Sequence, residues 1–246
     1  MERPRSILII PAYNEAVALP ALMKLIRDAN LGLQCVVVDD GSEDDTSSVG
    51  RNHGAIVIRH PFNLGYGAAL QTGYKYALAE GARFIVQMDA DGQHDPRDIE
   101  KLLLPVQQGQ CDIMIGSRFL DSTGYAMGPL RQMGRGLFRM IGRLFGLSVA
   151  DPTSGFQAMN RAVIEHYVQD FFPTDFPDVD VLVGLRRRGG TIRECPVHMT
   201  SATRGSRIHS GLRPIYYVYK MLLSLWSAGS QRLDNTDWLE NSKKEG

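Results

Sequence analysis

Residues Phe84–His94 read FIVQMDADGQH, and this stretch decides the fold class and the expected chemistry. Its apolar start has the length of a buried strand, and Asp89 and Asp91 follow directly. Side chains two residues apart in an extended chain point to the same side, so the two carboxylates converge. Converging carboxylates repel one another unless a cation lies between them, and Gly92 allows the backbone to turn sharply beside a ligand. The stretch therefore predicts a divalent-metal site at the end of a strand.

The same stretch has a simpler interpretation, an aspartate-rich turn that caps the following helix. Its position after a fourth apolar strand favours the metal site. Gln93 and His94 supply further possible ligands beside the two carboxylates.

Outside this stretch, short apolar strands alternate with helices along the chain. Strands are predicted at 6–10, 34–38, 55–59, 84–88, 112–115 and 191–199, with a loop entering another strand over 151–159, and helices at 19–30, 44–52, 67–80, 98–108, 130–145, 178–188 and 215–228. The alternation predicts an α/β fold with a mostly parallel sheet and helices on both faces. Ligands of such sheets bind at the carboxyl ends of the strands. The polar loops fall at those ends, at 11–15, 39–42, 89–94 and 116–118.

The amino-acid composition argues against several classes of protein. The 246 residues carry 27 Lys+Arg and 27 Asp+Glu, a balance that argues against a globally basic nucleic-acid binder. The three cysteines, Cys35, Cys111 and Cys195, have no C-x-x-C spacing, which argues against a zinc site and fits a reducing cytosol. The most apolar stretch, 215–226, is about half as long as a membrane-spanning helix.

The loops after the first two strands further narrow the class of protein and the roles of their residues. The first reads PAYNE at 11–15 and lacks the G-x-G-x-x-G of a nicotinamide dehydrogenase. It also admits a simple helix-capping role for Asn14 or Glu15. Asp39 and Asp40 end the second strand and can accept from a base N–H or from ribose hydroxyls, or else cap the next helix.

The combination of these segments resembles a known family. PAYNE at 11–15, VVVDDGSEDDT at 36–46, NLGYGAAL at 63–70, VQMDADGQH at 86–94 and GSR at 116–118 resemble, in order and spacing, the inverting glycosyltransferases of family 2. The resemblance continues through DPTSGF at 151–156 and CPV at 195–197 to roughly residue 210. It is closest to the dolichol- or polyprenol-phosphate sugar synthase branch. It implies a GT-A fold with a Rossmann-like nucleotide-binding half.

The resemblance also implies roles on the donor side. A divalent metal, Mg²⁺ or Mn²⁺, would be held by Asp89, Asp91 and Gln93. The nucleotide sugar, a UDP- or GDP-sugar, would contact or border Pro11, Tyr13, Glu15, Asp39, Asp40, Asn63, Gly65, Gly67, Asp89, Ala90 and Arg204. Arg204 matches the arginine of an R-x-x-G-x-S-K loop that folds over the diphosphate. Here the glycine directly follows that arginine, and Arg207 replaces the lysine.

On the acceptor side, Arg118 and Arg131 match positions close to an acceptor phosphate, and with Asp91 they are the expected catalytic groups. The implied reaction is metal-dependent transfer, with inversion, to a polyprenyl phosphate. One alternative is transfer to a sugar hydroxyl of a polysaccharide or glycolipid, with Asp178 or Asp180 as general base. A phosphate monoester needs no such base, because its second pKa is about 6. A second alternative is a non-catalytic nucleotide-sugar-binding subunit.

The C-terminal part predicts contact with a membrane. Arginines recur every four residues at Arg131, Arg135, Arg139 and Arg143 within an otherwise apolar helix, a pattern typical of interfacial helices. Alternatively, such helices pack inward or form a dimer interface. We expect a catalytic domain over 1–212, an apolar interfacial helix over 213–230 and a polar tail over 231–246. The expected location is cytoplasmic and peripheral on the inner face of the cell membrane, with a membrane-protein partner or a homo-oligomer as further possibilities.

Overall fold

The computed structural model describes residues 5–120, 146–175, 177 and 179–199. The strands of this part are β1 (Ser6–Ala12), β2 (Gln34–Asp39), β3 (Ile56–Arg59), β4 (Phe84–Gln87), β5 (Ile113–Ser117), β6 (Gln157–Asn160) and β7 (Ile192–Pro196). The helices are α1 (Leu19–Ala29), α2 (Thr46–Asn52), α3 (Tyr66–Ala79), α4 (Ile99–Gln107), α5 (Arg161–Tyr167) and α6 (Val179–Arg187), and a 3₁₀ turn (Pro96–Asp98) precedes α4.

The strands form one sheet in the order β3-β2-β1-β4-β6-β5-β7. Every neighbouring pair is parallel except those of β6, which runs antiparallel to both β4 and β5. The predicted mostly parallel sheet flanked by helices is confirmed. The direction of β6 was not predicted, because a four-residue run, QAMN, carries no signal of strand direction. It matters for the site, because β6 starts at the edge where β4 and β5 end.

Strand β1 explains why both faces of the sheet are covered. Ile7 and Ile9 pack into a core cluster with residues of α3, α5 and α6, whereas Leu8 and Ile10 pack with residues of α1 and α4. All four side chains are fully buried. Burying such a side chain contributes about 1.5–3 kcal/mol. This two-sided burial fixes the central strand, and with it the loop that follows.

Predicted and observed boundaries agree within a few residues, but helix α5 was missed. It begins after Asn160, whose side-chain Oδ1 accepts the Val163 N–H at 3.0 Å. This is an N-cap, and it precedes apolar residues at helical spacing, so the sequence did carry the signal.

Several predictions fall outside the described residues. They concern Arg131, Asp178 and Arg204, the helices expected at 130–145 and 215–228, and the tail. Among the residues that the structure does describe, no helix has the length and apolar character needed to cross a bilayer.

Candidate active site

The loops after β1 and β2 interlock at the carboxyl edge of the sheet. The Asn14 N–H donates to Ser42 Oγ, and the Glu15 N–H donates to Thr46 Oγ1, each at 2.9 Å. In return, Asn14 Oδ1 accepts the Glu43 N–H at 2.8 Å. Asn14 itself has φ 57°, a left-handed conformation that asparagine tolerates. The two loops are therefore held together at this edge of the sheet.

The nucleotide-side residues of the first loop differ in exposure. Pro11 is buried, Glu15 is half-buried, and Tyr13 is 38% exposed. An exposed aromatic ring at the mouth of a crevice is a surface on which a planar base can stack. The structure thus brings this segment to the edge where the sequence predicted it.

Asp39 is fully buried and engaged within the second loop. Its Oδ1 accepts the Ser42 N–H at 2.9 Å, and its Oδ2 accepts from the Ser47 hydroxyl. These bonds shape the turn after β2 and tie it to the start of α2. Asp39 therefore shapes the crevice wall from within.

Asp40 is 3% exposed and holds the turn that precedes α3. Its Oδ1 lies 2.7 Å from His60 Nδ1 and accepts the Leu64 N–H at 2.8 Å, and its Oδ2 accepts the Gly65 N–H at 2.9 Å. The other ring nitrogen of His60 contacts Thr72 Oγ1 at 2.9 Å. One buried carboxylate thereby fastens the N-x-G-x-G turn, which includes the exposed Asn63, to the sheet.

This arrangement predicts a specific loss of stability. Replacing Asp40 with Asn turns one of its acceptors into a donor and leaves a partly buried N–H without a partner. We expect a loss of about 2 kcal/mol in the free energy of unfolding, measured by denaturant titration. Asp28→Asn on the exposed face of α1 is the matched control. Equal stability of the two variants would contradict the role of Asp40 in holding the N-x-G-x-G turn.

The same turn is pressed against the segment 173–175. A Cβ on Gly67 would lie 2.0 Å from the Pro173 carbonyl oxygen, and one on Gly65 would lie 2.5 Å from the Thr174 carbonyl oxygen. The Ala68 N–H donates to that Thr174 oxygen at 3.0 Å. Both glycines are therefore required by close backbone approach, and Gly65 also by its φ of 106°.

Asp89 stands where β4 ends, and three other parts of the chain surround its carboxylate. The Tyr66 hydroxyl donates to Oδ1 at 2.8 Å. His94 Nε2 lies 3.6 Å from Oδ2. On a third side Gly155 lies so close that a Cβ there would be 2.6 Å from Oδ2. Ala90, the next residue, is buried.

Asp91 completes the D-x-D pair on the same turn. Its Oδ1 accepts the Gln93 N–H at 3.0 Å, and its Oδ2 accepts from Gln93 Nε2 at 2.5 Å. Gly92, between them, has φ 73°, which only glycine adopts without strain. The turn therefore places both carboxylates and one amide together at the strand end.

The pKa values of the two carboxyls move in opposite directions. Burial favours the neutral form of Asp89, but the nearby His94 and Tyr66 and the charge of Arg118 outweigh it and lower the pKa of Asp89. Burial, followed by the negative charge of Asp89, raises the pKa of Asp91. The pair therefore carries a mutual repulsion that a cation would relieve.

The donor set fits a hard divalent cation. The two carboxylates and the Gln93 amide supply oxygen ligands, which Mg²⁺ and Mn²⁺ prefer. Within the described residues, no group of three His, Cys, Asp or Glu could enclose a metal ion alone. Because Mg²⁺ takes six oxygen ligands, a cation held by Asp89, Asp91 and Gln93 would keep positions open for oxygens of a bound ligand.

Arg118 follows β5 and is held by a buried carboxylate. Its Nε and Nη2 donate to Asp151 Oδ2 and Oδ1 at 2.6 and 2.5 Å, a bidentate pair. Asp151 is held in turn by Glu194, which accepts the Ala150 and Asp151 N–H groups at 2.6 and 2.8 Å. Burial raises the pKa of Glu194. Arg118 is thus an oriented cation within electrostatic reach of Asp89.

Asp180, one of the two candidate bases, is 6% exposed in the first turn of α6. Burial, then Tyr74, then the charge of Asp180 raise the pKa of the buried Tyr167. Asp180 therefore lies among core residues. The other candidate, Asp178, lies outside the described residues.

Three residues that contribute to the site, Tyr66, Asp151 and Gly155, were not predicted from the sequence. Tyr66 stands between the two glycines of the N-x-G-x-G turn, and Asp151 and Gly155 belong to the DPTSGF block. Both blocks belong to the family resemblance, but the roles of these three residues depend on contacts between distant segments, which the sequence does not show.

Comparison with known proteins identifies the family and relatives of this chain. A family profile described as Glycosyl transferase family 2 matches residues 7–168, more than half of the chain. The polyprenol monophosphomannose synthase of Mycolicibacterium smegmatis is 30% identical over 222 residues, covering 84% of this chain and 82% of that protein. The dolichol-phosphate mannosyltransferase of Pyrococcus furiosus is 36% identical over 231 residues, covering 86% of this chain and 63% of that protein.

Solved structures agree on the fold. Glucosyl-3-phosphoglycerate synthase from Mycobacterium tuberculosis, in complex with Mn²⁺, UDP and glucosyl-3-phosphoglycerate, matches with a TM-score of 0.72 at 21% identity, covering 94% of this chain and 82% of that chain. Another crystal structure of that synthase contains Mg²⁺ and UDP. The GT-A fold is thereby confirmed.

The chain belongs to glycosyl transferase family 2 and is a glycosyltransferase. The predicted likeness to the polyprenol-phosphate sugar synthase branch is confirmed by the relatives that carry those names.

Proposed function

We propose that this glycosyltransferase moves a sugar from a UDP- or GDP-sugar to a polyprenyl phosphate, with inversion at the anomeric carbon. The observation that carries the proposal is the D-x-D pair, Asp89 and Asp91, with the oriented Arg118 within electrostatic reach of Asp89. The two aspartates could hold the metal that binds a diphosphate, and the arginine could bind a second anion. The names of the relatives, which include polyprenol- and dolichol-phosphate mannosyltransferases, support a lipid phosphate as that anion.

Asp89, Asp91 and Gln93 are the residues that would hold Mg²⁺ or Mn²⁺. When bound, the cation would neutralise the charge that develops on the leaving diphosphate. The residues around it do the positioning. The exposed Tyr13 offers a stacking surface for the base, and the interlocked loops after β1 and β2 keep that surface fixed.

The acceptor step needs little from the protein beyond orientation. An oxygen of the acceptor phosphate forms the new bond to the anomeric carbon, while the bond from that carbon to the diphosphate breaks and the nucleoside diphosphate leaves. Arg118, fixed by Asp151, binds the acceptor anion and restrains its approach. The phosphate is largely ionised at neutral pH and needs no general base. The buried position of Asp180 supports this version over base-assisted transfer.

We further propose roles for parts of the chain outside the described residues. The catalytic domain spans 1–212, followed by an interfacial helix over 213–230 and a polar tail. Arg131 joins Arg118 at the acceptor, and Arg204 closes on the diphosphate. Because a polyprenyl phosphate is anchored in lipid, the enzyme would work at the inner face of the cell membrane. Interfacial helices, a membrane partner or self-association would supply the contact.

The test is a transfer assay with purified protein, Mn²⁺ and labelled UDP- or GDP-sugars. Three acceptors are compared: a polyprenyl phosphate, the same polyprenol without phosphate, and a free oligosaccharide. We expect labelled lipid only with the phosphate. Transfer to the oligosaccharide would favour the polysaccharide alternative, and it would be checked with Asp178→Asn. Nucleotide binding without transfer to any acceptor would favour a non-catalytic subunit.

A further inference from the structure

The Asp89 carboxylate is contacted by His94 of its own loop and by Tyr66 and Gly155 of distant segments, and the contacts differ in kind. The Tyr66 hydroxyl is 2.8 Å from Oδ1, which is a hydrogen bond. The 3.6 Å between His94 Nε2 and Oδ2 exceeds the usual hydrogen-bond length. Gly155 contributes only a close surface, because it has no side chain. Of these three contacts, Tyr66 therefore supplies the directional one.

Tyr66 is itself fixed by its neighbours in the chain. It is the first residue of α3, and it stands between Gly65 and Gly67. Both glycines lie in close contact with the backbone of 173–174, and the Gly65 N–H is bonded to Asp40. The backbone on either side of Tyr66 thus has little room to shift. Its hydroxyl reaches Asp89 from a rigid base.

We infer that Tyr66 is a positioning residue that sets the orientation of the Asp89 carboxylate for a divalent cation. The inference rests on the proposed function, because it assigns Asp89 to the metal. With Oδ1 bonded to the tyrosine hydroxyl and Gly155 closing one side, the carboxylate is held in one rotamer. The carboxylate then stays beside the turn that carries Asp91, two residues further along the chain. Tyr66 touches neither the cation nor the sugar in this role.

Such a role has a defined consequence for metal binding. Hydrogen bonds to a ligating carboxylate remove its freedom to rotate, and their loss typically weakens metal binding by about 10- to 100-fold. A Tyr66→Phe variant keeps the ring and its packing and removes only the donor. Metal affinity should then fall while the fold and the acceptor side stay intact.

The experiment measures Mn²⁺ alone, by electron paramagnetic resonance of the free ion in titrations of the full chain. We expect the Kd for Mn²⁺ of Tyr66→Phe to be about tenfold higher than that of the wild type. In transfer assays the Mn²⁺ concentration for half-maximal rate should rise by a similar factor. Saturating Mn²⁺ should restore most of kcat, which a general folding defect would not allow.

Tyr76→Phe is the matched control, because it removes a hydroxyl from a half-buried tyrosine on the same helix. It should keep the wild-type Mn²⁺ affinity. Denaturant unfolding of both variants without metal shows whether each is folded. A folded Tyr66→Phe with unchanged Mn²⁺ affinity would overturn the inference. A wild type that neither binds Mn²⁺ nor transfers sugar would overturn the proposed function instead.

Discussion

Replacing Asp91 with asparagine should lower kcat/KM for sugar transfer by about 100-fold or more, because the lost carboxylate contributes several kcal/mol to charge stabilisation through the cation. The substitution keeps the shape of the side chain. Asparagine Oδ1 still accepts the Gln93 N–H, which Asp91 accepts at 3.0 Å, and the half-buried Gln93 amide can turn so that its Oε1 accepts from the asparagine Nδ2. The loss should therefore reflect charge rather than a broken turn, and steady-state rates at saturating Mn²⁺ measure it.

The same variant should not be less stable when metal is removed with a chelator. Burial and the charge of Asp89 raise the pKa of Asp91, so the fold disfavours its ionised form. Above that pKa, ionised Asp91 subtracts from the free energy of unfolding, and asparagine removes this penalty. Stability should match or exceed that of the wild type at neutral pH, and the difference should shrink as the pH falls and Asp91 becomes protonated.

Asp28→Asn, on the exposed face of α1, is the control for both measurements. It makes the same change of charge far from the strand ends and should leave rate and stability unchanged. An Asp91→Asn enzyme with nearly wild-type turnover would remove this residue from the metal site. A large loss of metal-free stability would show that the carboxylate is mainly structural.

Replacing Gly67 with alanine should cost about 3 kcal/mol of unfolding free energy, at the upper end for an overpacked site. By helix propensity alone, alanine would be favoured by about 1 kcal/mol at a helical position. The added Cβ, however, would lie 2.0 Å from the Pro173 carbonyl oxygen, which is backbone and has no rotamer to change. The steric clash therefore outweighs the gain in helix propensity, and the substitution should lower the free energy of unfolding.

Gly184→Ala is the matched control, since Gly184 is also helical and its Cβ would meet no atom within 4 Å. We expect that substitution to be neutral or to stabilise by up to about 1 kcal/mol. For a chain of this size, the Gly67 variant should melt about 6 to 12 °C lower by scanning calorimetry. Similar melting temperatures for the two variants would show that segment 173–175 yields easily.

The sheet, and the edge at which the polar loops gather, followed from the sequence because their signals are local. Apolar runs such as Phe84–Gln87 predict strands, and parallel order then brings the loops after them to one edge. The D-x-D pair was placed correctly for the same reason, since two residues on one extended segment need no knowledge of distant contacts. The positions of Asp89 and Asp91 at that edge were predicted in this way.

Contacts between segments that are distant in the chain could not be predicted from the sequence pattern. One of Asp39 and Asp40 was predicted to bind the nucleotide, but the sequence did not show that the Asp40 carboxylate contacts His60 and two backbone N–H groups. Nothing in the spacing of the VDDGS block shows that a histidine twenty residues later would fold onto it. In the same way, the glycine of DPTSGF gives no sign in the sequence that it lies against Asp89.

The antiparallel strand β6 has a consequence for how this enzyme can diversify. Strand β5 leaves the sheet at the edge where β6 enters it, and the Gly116 N–H donates to the Phe156 carbonyl at 2.8 Å, so the chain between them starts and ends at nearly one point. Changing the length of such an excursion costs little, about 0.6 kcal/mol per doubling. The chain between β5 and β6 can therefore vary in length among related enzymes without disturbing the sheet.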